Sequence, residues 1–467
     1  MNKSFLWGAA TSSYQIEGAI QEGNRGDSIW DTFVNTPGKV RNGDTGAVAI
    51  DHFNRLEEDV RMMSELGINA YRFSIAWPRL FPKSANSLEK EGINFYNKLI
   101  ELLIENEIEP IATLYHWDLP QYLEDIGGWA NRATPLAFEH YAETCAKAFG
   151  DRVNQWITLN EPWCTAFLGY YTGIHAPGKM NSELAIAAAH HTALAHGCGT
   201  RAIKRIHPEA RVGLTVNMTT LHTDSEDEET KRVYDLVDSN QNRWWIDALI
   251  TGKYPQNLVE EYGSVLTQVM LPGDEYILKT EPDFLGVNYY CDGFVGKARV
   301  SDLSLDVCSP YPIKRVANME LPSSMFTSRT DFDWPITPGG LGELLRRIHR
   351  DWPQIPAIYI TENGAAFNDG PDENGSIQDY RRVDYLTSHI VSMNEAISAG
   401  VPVHGYFAWS LFDNFEWAEG YSKRFGLIYV DFASQERTPK LSFHKYQEII
   451  SGGANAFGRV TKKRWTL

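Results

Sequence analysis

The sequence predicts an α/β fold in which eight parallel strands close into a barrel. Short runs of β-branched and aromatic residues alternate along the chain with longer segments whose apolar residues recur at helical spacing. That alternation is typical of strand–helix units around a parallel sheet. Eight strands with eight crossings indicate a closed barrel.

The elements follow one another in strand–helix order from the start of the chain. Each predicted strand is a short apolar run, as in Trp156-Ile157-Thr158-Leu159 and Ile358-Tyr359-Ile360. Each predicted helix carries its apolar residues on one face. The predicted strands cover residues 5–10, 69–77, 110–117, 153–161, 212–218, 284–290, 357–362 and 403–411. The predicted helices cover residues 55–66, 88–105, 135–149, 182–206, 229–249, 341–348, 380–399 and 442–450.

Two intervals between these elements are long, one after residue 218 and one from residue 290 through Cys308 to Thr337. No Ser- or Pro-rich linker frames either interval, so we expect extended loops of a single domain that covers residues 1–467. The acidic run 224–229 is interpreted as a solvated loop face, and calcium or partner binding is the less favoured alternative.

The composition argues against several classes of function. Acidic residues outnumber basic ones by 60 to 43, and the net charge of −17 disfavours nucleic acid or an anionic membrane as a partner. No run approaches 18 consecutive apolar residues, so no membrane span is predicted. The histidines His190, His191 and His196 lack an HExxH pattern, and the chain has no glycine-rich nucleotide fingerprint. We therefore predict no metal and no cofactor.

The cysteines indicate the cellular setting. They are five in number, widely spaced and without a CxxC pair, which argues against a disulfide framework. The apolar run at residues 5–10 is too short for the core of a signal peptide. We therefore expect reduced thiols in a cytoplasmic protein. The cysteines are Cys145, Cys164, Cys198, Cys291 and Cys308.

Polar and aromatic residues suited to binding hydroxyl groups stand at the carboxyl ends of the predicted strands. In a parallel barrel these ends meet in one cleft, and catalytic groups come from several strands. Glu161 and Glu362 each follow a strand too apolar to be exposed, where an unpaired carboxylate would be costly. One explanation is that each carboxylate is paired with a buried cation. The favoured explanation is that the two carboxylates divide the acid and nucleophile roles of glycoside hydrolysis. The other strand-end residues are Arg72, His116, Asn160, Tyr290 and Trp409.

Two five-residue motifs surround these carboxylates, Thr158-Leu159-Asn160-Glu161-Pro162 and Ile360-Thr361-Glu362-Asn363-Gly364. Both resemble the signatures of glycoside hydrolase family 1, the β-glucosidase family. The agreement extends from Phe5-Leu6-Trp7-Gly8 to Arg437-Thr438-Pro439-Lys440, essentially the whole chain. The resemblance implies a single (β/α)8 TIM barrel with extended loops. It also implies a retaining hydrolase of terminal β-D-glucosyl residues in small β-glycosides, with β-galactosidase or β-fucosidase side activity.

The resemblance also implies a role for each site residue. Glu161 is then the general acid/base and Glu362 the nucleophile, with carboxyl groups roughly 5–5.5 Å apart. Arg72 and Tyr290 correspond to residues that contact the nucleophile. A cation beside Glu362 would keep it ionised, whereas Glu161 should hold its proton longer. The implied substrate-binding residues are Gln15, His116, Trp117, Asn160, Asn288, Trp409, Glu416 and Trp417. Candidates for the aglycone side, with plain loop packing as the alternative, are Trp163, Leu168, His175 and Trp334.

Two alternative functions are weighed against hydrolysis of unphosphorylated glycosides. The 6-phospho-glycosidases of the family carry a small polar residue, lysine and tyrosine at the positions of Glu416, Lys423 and Phe425. Only Lys423 agrees, and the carboxylate of Glu416 would repel a phosphate. The other alternative is a sugar-binding relative without catalysis. Family members specialised for thioglucosides carry glutamine at the position where this chain has Glu161. The natural aglycone and the oligomeric state stay open.

Overall fold

The computed structural model describes residues 5–300, 311, 315–317, 319–326 and 328–452, so the predicted thiol of Cys308 lies outside the described residues. Eight parallel strands form a closed barrel with helices between successive strands, which confirms the predicted (β/α)8 fold. Each strand pairs with its neighbours in the chain, and the last pairs with the first, Trp409 opposite Ala10. The strands are β1 Leu6–Ala10, β2 Ala70–Ser74, β3 Glu109–Tyr115, β4 Gln155–Asn160, β5 Arg211–Asn217, β6 Phe284–Asn288, β7 Ile358–Asn363 and β8 Val403–Trp409.

Helices follow the strands around the outside of the barrel, at the predicted places except after β5. None of the described helices is both long and apolar enough to cross a membrane. The helices are α1 Leu56–Leu66, α2 Lys90–Glu105, α3 Ala133–Phe149, α4 Ser182–Ile206, α5 Glu228–Asp238, α6 Pro338–Asp351, α7 Tyr380–Ser398 and α8 Leu441–Gly452.

The continuous helix predicted over residues 229–249 is wrong, because a π-helical turn, Ser239–Arg243, separates α5 from the helix Trp244–Thr251. The side chains in this turn hold the loop that follows β5. Gln241 donates to the carbonyl of Asn217 at 2.9 Å, and Asn242 donates to the carbonyl of Thr219 at 3.0 Å. A wider turn accommodates these inward contacts.

Shorter elements lie in the loops and correct two further boundaries. The predicted strand 69–77 ends at Ser74, since Trp77 and Pro78 begin a short helix, Trp77–Leu80. The acidic run 224–229 is only partly a loop, because Asp227 caps α5 by accepting from the backbone of Thr230 at 2.9 Å. The other short helices are Ser13–Ile16, Ile29–Val34, Arg41–Gly43, Gln121–Glu124, Gly128–Ala130, Cys164–Leu168, Gln256–Tyr262, Ser264–Val269, Asp274–Leu278, Ser323–Met325 and Trp417–Glu419. Antiparallel strand pairs join Ala298–Val300 to Arg315–Ala317 and Ile428–Val430 to Arg437–Pro439, and a parallel pair joins Leu221–His222 to Gly293–Phe294.

Apolar side chains fill the amino-terminal part of the barrel interior. This inner cluster includes Leu6, Ala70, Ile111, Ile157 and Phe284, all buried. A larger apolar cluster packs the helices against the outside of the strands. Further along the strands the interior becomes polar, where the buried residues are Arg72, Thr113, Asn160, Asn288, Thr361 and Glu362. The packed floor therefore confines the polar groups to the carboxyl end of the barrel.

A buried ion cluster fixes the loop after β8. Asp413 accepts from the ammonium of Lys440 at 2.8 Å, from the guanidinium of Arg424 at 2.7 Å and from the backbone of Gly426 at 2.9 Å. Asp413 and Lys440 are completely buried. Because both charges are paired and hydrogen-bonded, the cluster can hold the loop that carries Glu416 without an uncompensated buried charge.

We predict that Gly364→Ala lowers the melting temperature of the protein. A Cβ atom at Gly364 would lie 1.7 Å from the carbonyl oxygen of Trp409, so one of the two strand ends must shift. Overpacking of this kind costs about 1–3 kcal/mol. Thermal unfolding followed by circular dichroism measures the change, with Gly370→Ala as the control because its Cβ would meet no atom within 4 Å. Equal melting temperatures for the two variants would contradict the prediction.

Candidate active site

The strand ends open into one cavity of about 1040 Å³ at the carboxyl end of the barrel. Every site residue predicted from the sequence either lines this cavity or bonds to a residue that does. Gln15, Arg72 and Asn160 are completely buried behind its wall. The predicted residues that line it are His116, Trp117, Glu161, Trp163, Leu168, His175, Asn288, Tyr290, Trp334, Glu362, Trp409, Glu416 and Trp417.

Both carboxyl oxygens of Glu362 are held by donors. Arg72 donates from Nη1 to Oε1 at 2.6 Å, and the hydroxyl of Tyr290 donates to Oε2 at 2.6 Å. Arg72 is itself fixed by bonds from Nε to the hydroxyl of Thr113 at 3.1 Å and from Nη1 to the carbonyl of Thr361 at 3.1 Å. The carboxylate of Glu362 is therefore oriented by a cation that cannot move away from it.

The two oxygens of Glu161 have partners of a different kind. Asn288 donates from Nδ2 to Oε1 at 2.5 Å, and the thiol of Cys164 donates to Oε2 at 3.0 Å. Glu161 has a φ of 45°, in the left-handed region, which turns the chain as it leaves β4. Two further cavity residues, Trp117 and Trp417, have φ values of 77° and 48°. Such conformations cost of order 1–3 kcal/mol each and concentrate at functional sites.

A chain of amide groups connects the surroundings of the two carboxylates. Arg72 donates from Nη2 to Oδ1 of Asn160 at 2.6 Å, and Asn288 donates to the same oxygen at 3.0 Å. The amide nitrogen of Asn160 therefore faces Nε2 of His116, 3.1 Å away, so that Nε2 is the acceptor. The hydroxyl of Thr361 donates to Oδ1 of Asn288 at 2.7 Å and fixes that amide as well. The orientation of each amide follows from its neighbours.

The three glutamates of the cavity differ in how strongly their neighbours favour the ionised form. Burial raises the pKa of Glu362 above its ordinary value, while the Arg72 guanidinium and the Tyr290 hydroxyl oppose the rise. Burial, followed by repulsion from Glu362, raises the pKa of Glu161 to about 7. The same two causes raise the pKa of Glu416 to about 8. Glu161 therefore keeps its proton to a higher pH than an ordinary glutamate does.

Polar groups and flat aromatic rings alternate on one side of the cavity. Gln15 donates to the carbonyl of Phe415 at 2.8 Å and to the carboxylate of Glu416 at 3.4 Å. The ring of Trp417 lies 4.7 Å from that of Trp117, measured between centroids. Burial, followed by the charge of Arg72, lowers the pKa of His116 well below its ordinary value. This wall can exchange hydrogen bonds with hydroxyl groups and cover the apolar face of a sugar ring.

The predicted aglycone residues stand on two walls further out. Trp334 stacks on Phe332 with centroids 4.5 Å apart, and the ring of Tyr290 lies 5.2 Å from that of Trp334. On the other wall Trp163 donates from its indole nitrogen to Asn240 at 2.7 Å. The ring of His175 lies 5.2 Å from that of Trp117, so His175 joins the aglycone candidates to the wall that contains Trp117. Half-buried Leu168 also lines the cavity.

Several contributors were missed by sequence reasoning. Thr113 is a small polar residue inside an apolar strand, and that position is its only sequence signal. Thr361 stands inside the second motif, but the motif does not show that its hydroxyl orients Asn288. Cys164 stands three residues after Glu161, which is one helical turn and therefore a signal that could have been used. Phe332 and Phe425 lie far from the motifs along the chain, so only the fold brings them to the cavity.

Three histidines of α4 form hydrogen bonds with other groups of the protein. His190 bonds to Asp274 at 2.9 Å, and His196 bonds to the hydroxyl of Thr158 at 2.7 Å. His191 bonds to the carbonyl of Trp129 at 2.9 Å. In the part of the chain that the structure describes, no group of three or more His, Cys, Asp and Glu side chains is placed to hold a metal ion.

The fold and the paired carboxylates define the class of protein as a glycoside hydrolase. The family model of glycosyl hydrolase family 1 matches residues 1–454, and the chain belongs to this family. It is 42% identical over 449 residues to β-glucosidase A of Acetivibrio thermocellus, covering 96% of this chain and 97% of that protein. It is also 42% identical over 466 residues to a bifunctional β-D-glucosidase/β-D-fucosidase of Bifidobacterium breve, covering 96% and 98% of the two chains. The solved family 1 β-glucosidase of Thermotoga maritima matches with a TM-score of 0.90 at 40% identity, covering 97% and 98% of the two chains.

We predict that Glu416→Gln stabilises the protein and that the gain grows as the pH rises. Because the pKa of Glu416 is about 8 in the folded protein and 4.5 ordinarily, its ionisation increasingly opposes folding between those values. The variant lacks this loss and should gain at most about 5 kcal/mol above pH 8 but little below pH 4.5. Melting temperatures measured across that range test this, with exposed Glu373→Gln as the control. A gain that does not change with pH would be the contrary result.

Proposed function

We propose that the protein is a retaining β-glucosidase that removes non-reducing terminal β-D-glucosyl residues from disaccharides and from aryl or alkyl glucosides. The observation that carries this proposal is the division of labour between two buried carboxyls in one cavity. Glu362 is bonded to a cation and a phenol, whereas Glu161 has no cationic partner among the described residues and a raised pKa. Retaining glycosidases need such a nucleophile and such an acid.

In the first step Glu362 attacks the anomeric carbon while Glu161 gives its proton to the leaving glycosidic oxygen. The glycosidic bond breaks as the ester bond to Glu362 forms, and the aglycone leaves as an alcohol. Arg72 and Tyr290 hold the attacking carboxylate in one orientation, which reduces the entropic cost of the attack. This step requires the carboxyl groups to lie roughly 5–5.5 Å apart.

In the second step water replaces Glu362 at the anomeric carbon and Glu161 takes a proton from that water. Esterification removes the negative charge of Glu362, which is the second cause of the raised pKa of Glu161. The pKa of Glu161 therefore falls in the intermediate, and its ionised form becomes available as a base. Two inversions at the anomeric carbon leave the product with the configuration of the substrate.

The glycone is proposed to lie against the wall formed by Gln15, His116, Trp117, Asn160, Asn288, Trp409, Glu416 and Trp417. Amides, an imidazole and a carboxylate suit the hydroxyl groups of an unphosphorylated hexose. Side activity on β-galactosides and β-fucosides is part of the proposal, and the dual activity in the name of the Bifidobacterium breve relative supports it. Trp163, Leu168, His175 and Trp334 are proposed to contact the aglycone.

The contacts of Lys423 disfavour the alternative that the protein hydrolyses 6-phospho-β-glycosides. Its ammonium donates to the carbonyl of Asp331 at 2.5 Å and lies 5.3 Å from the ring centroid of Phe332. The lysine is thus already engaged by other groups of the protein. We further propose one catalytic domain over residues 1–467, supported by the family match over residues 1–454. A cytoplasmic location is also proposed, and the four described cysteines, which are free thiols, support it.

The activity is tested with 4-nitrophenyl β-glycosides. We expect release of 4-nitrophenol from the β-glucoside, slower release from the β-galactoside or β-fucoside, and none from the 6-phospho-β-glucoside. Binding of glucose in calorimetry without release from any of these probes would instead support the sugar-binding alternative. Preferred release from the phosphorylated probe would favour a 6-phospho-β-glucosidase.

We predict that a variant of Glu362 loses turnover, whereas azide restores activity to a variant of Glu161. Glu362→Gln should lose at least about 10⁴-fold in kcat because no nucleophile is left. In Glu161→Ala the first step still proceeds with an activated leaving group, and azide should then intercept the glycosyl-enzyme without needing a base. The rates with azide and the NMR configuration of the glycosyl azide measure this, with Glu373→Gln as the unaffected control. A product of inverted configuration from Glu161→Ala would contradict the assigned roles.

A further inference from the structure

The carboxyl group of Glu161 is asymmetric, because its two oxygens face groups of different chemistry. Oε1 accepts the amide N–H of Asn288, whose orientation is fixed by the hydroxyl of Thr361 on one side and by Asn160 on the other. An amide nitrogen can only donate, so a proton on Oε1 would point at another proton. The acidic proton therefore belongs on Oε2, and the protein group bonded there is the thiol of Cys164.

We propose that Cys164 is a positioning residue for the glycosidase reaction, whose thiol donates to Oε2 of Glu161 when that oxygen is ionised and so sets how readily Oε2 gives and takes the proton. This inference rests on the proposed function. When Glu161 is ionised the thiol donates to Oε2. When Oε2 carries the proton the thiol turns away, and the sulfur is too weak an acceptor to compete with the glycosidic oxygen for it.

The thiol is not consumed in the cycle. In the first step the proton on Oε2 moves to the glycosidic oxygen as that bond to the anomeric carbon breaks. In the second step one proton of the attacking water moves to Oε2 as the ester bond to Glu362 breaks. The thiol keeps its own proton throughout, because burial and then the charge of Glu161 raise the pKa of Cys164 well above its ordinary value.

The backbone places the sulfur without help from the substrate. The amide N–H of Cys164 donates to the carbonyl of Glu161 at 3.0 Å, and Cys164 begins the π-helical turn Cys164–Leu168. The side chain is 7% exposed and lines the cavity next to the carboxyl group. The thiol is therefore fixed relative to Glu161 before any sugar binds.

The other charged and titratable groups that act on Glu161 come from other strands, and a substitution at position 164 leaves their residues in place. They raise or lower the pKa of Glu161 in all variants alike, so a change at position 164 reports on the thiol. They are Arg72 on β2, Tyr290 after β6, Glu362 on β7 and Glu416 after β8. Other charged or titratable residues that line the cavity are Lys39, His116, His175, Cys291, Asp292 and Glu419.

The test compares Cys164→Ser and Cys164→Ala in the pH dependence of kcat/KM for 4-nitrophenyl β-glucoside. The alkaline limb of this profile reports the ionisation of the general acid in the free enzyme. A serine hydroxyl donates more strongly than a thiol, favours the ionised form of Glu161 and should move the limb about half a pH unit lower. Alanine removes the donor and should move the limb about half a pH unit higher.

Two controls separate positioning from a general effect on the fold. Cys198→Ser replaces a buried thiol on α4, outside the machinery described above, and should leave the profile unchanged. In a Glu161→Ala background the further change Cys164→Ala should no longer alter the azide-dependent rate, because the carboxyl on which the thiol acts is gone.

An alkaline limb that stays in place in both Cys164 variants overturns the proposal. A shift in the same direction in both variants also overturns it, as does an equal loss of rate on Cys164→Ala with and without Glu161. A wild-type protein that releases no 4-nitrophenol overturns the proposed function, and this proposal with it. An active wild type with unmoved limbs overturns only the role of Cys164.

Discussion

The completely buried guanidinium of Arg72 is the interaction on which the site depends. Its three nitrogens donate to Thr113 on β3, Asn160 on β4 and Glu362 on β7, so one side chain from β2 joins four strands of the barrel. A buried cation of this kind needs a paired anion. Glu362 supplies it, which fixes that carboxylate as the ionised member of the pair. In the proposed mechanism Glu161 then carries the proton, and the division between nucleophile and acid follows from the position of Arg72.

The barrel makes this arrangement possible because parallel strands end at one edge. Arg72, Asn160, Asn288 and Glu362 are distant in the chain but lie on four strands of the same barrel. Rigid strands hold the hydrogen-bonded chain of amides, and the loops that follow supply the aromatic walls. The left-handed backbone at Trp117, Glu161 and Trp417 marks where the chain turns sharply to aim side chains into the cavity.

The sequence predicts the barrel and both carboxylates because each depends on local information. Apolar runs identify strands, and five-residue motifs identify Glu161 and Glu362. The break in the helix predicted over residues 229–249 could not be predicted this way, because it depends on contacts of Gln241 and Asn242 with the loop after β5. The contacts of Thr361 and Phe425 likewise exist only once strands far apart in the chain have been brought together.

The carboxyl groups of the loop support and those of the cavity differ in their partners. Asp413 meets two cations, Lys440 and Arg424, and they hold its pKa below the ordinary value although burial alone would raise it. Glu161 and Glu416 are bonded only to neutral groups among the described residues, and their pKa values rise. The fold can therefore neutralise a buried carboxylate fully, and it does so in the loop support but not in the cavity. In the proposed mechanism a cation bonded to Glu161 would leave it no proton to donate at neutral pH. The proposed chemistry therefore requires that Glu161 have no such partner, and the ionised site is less stable as a result.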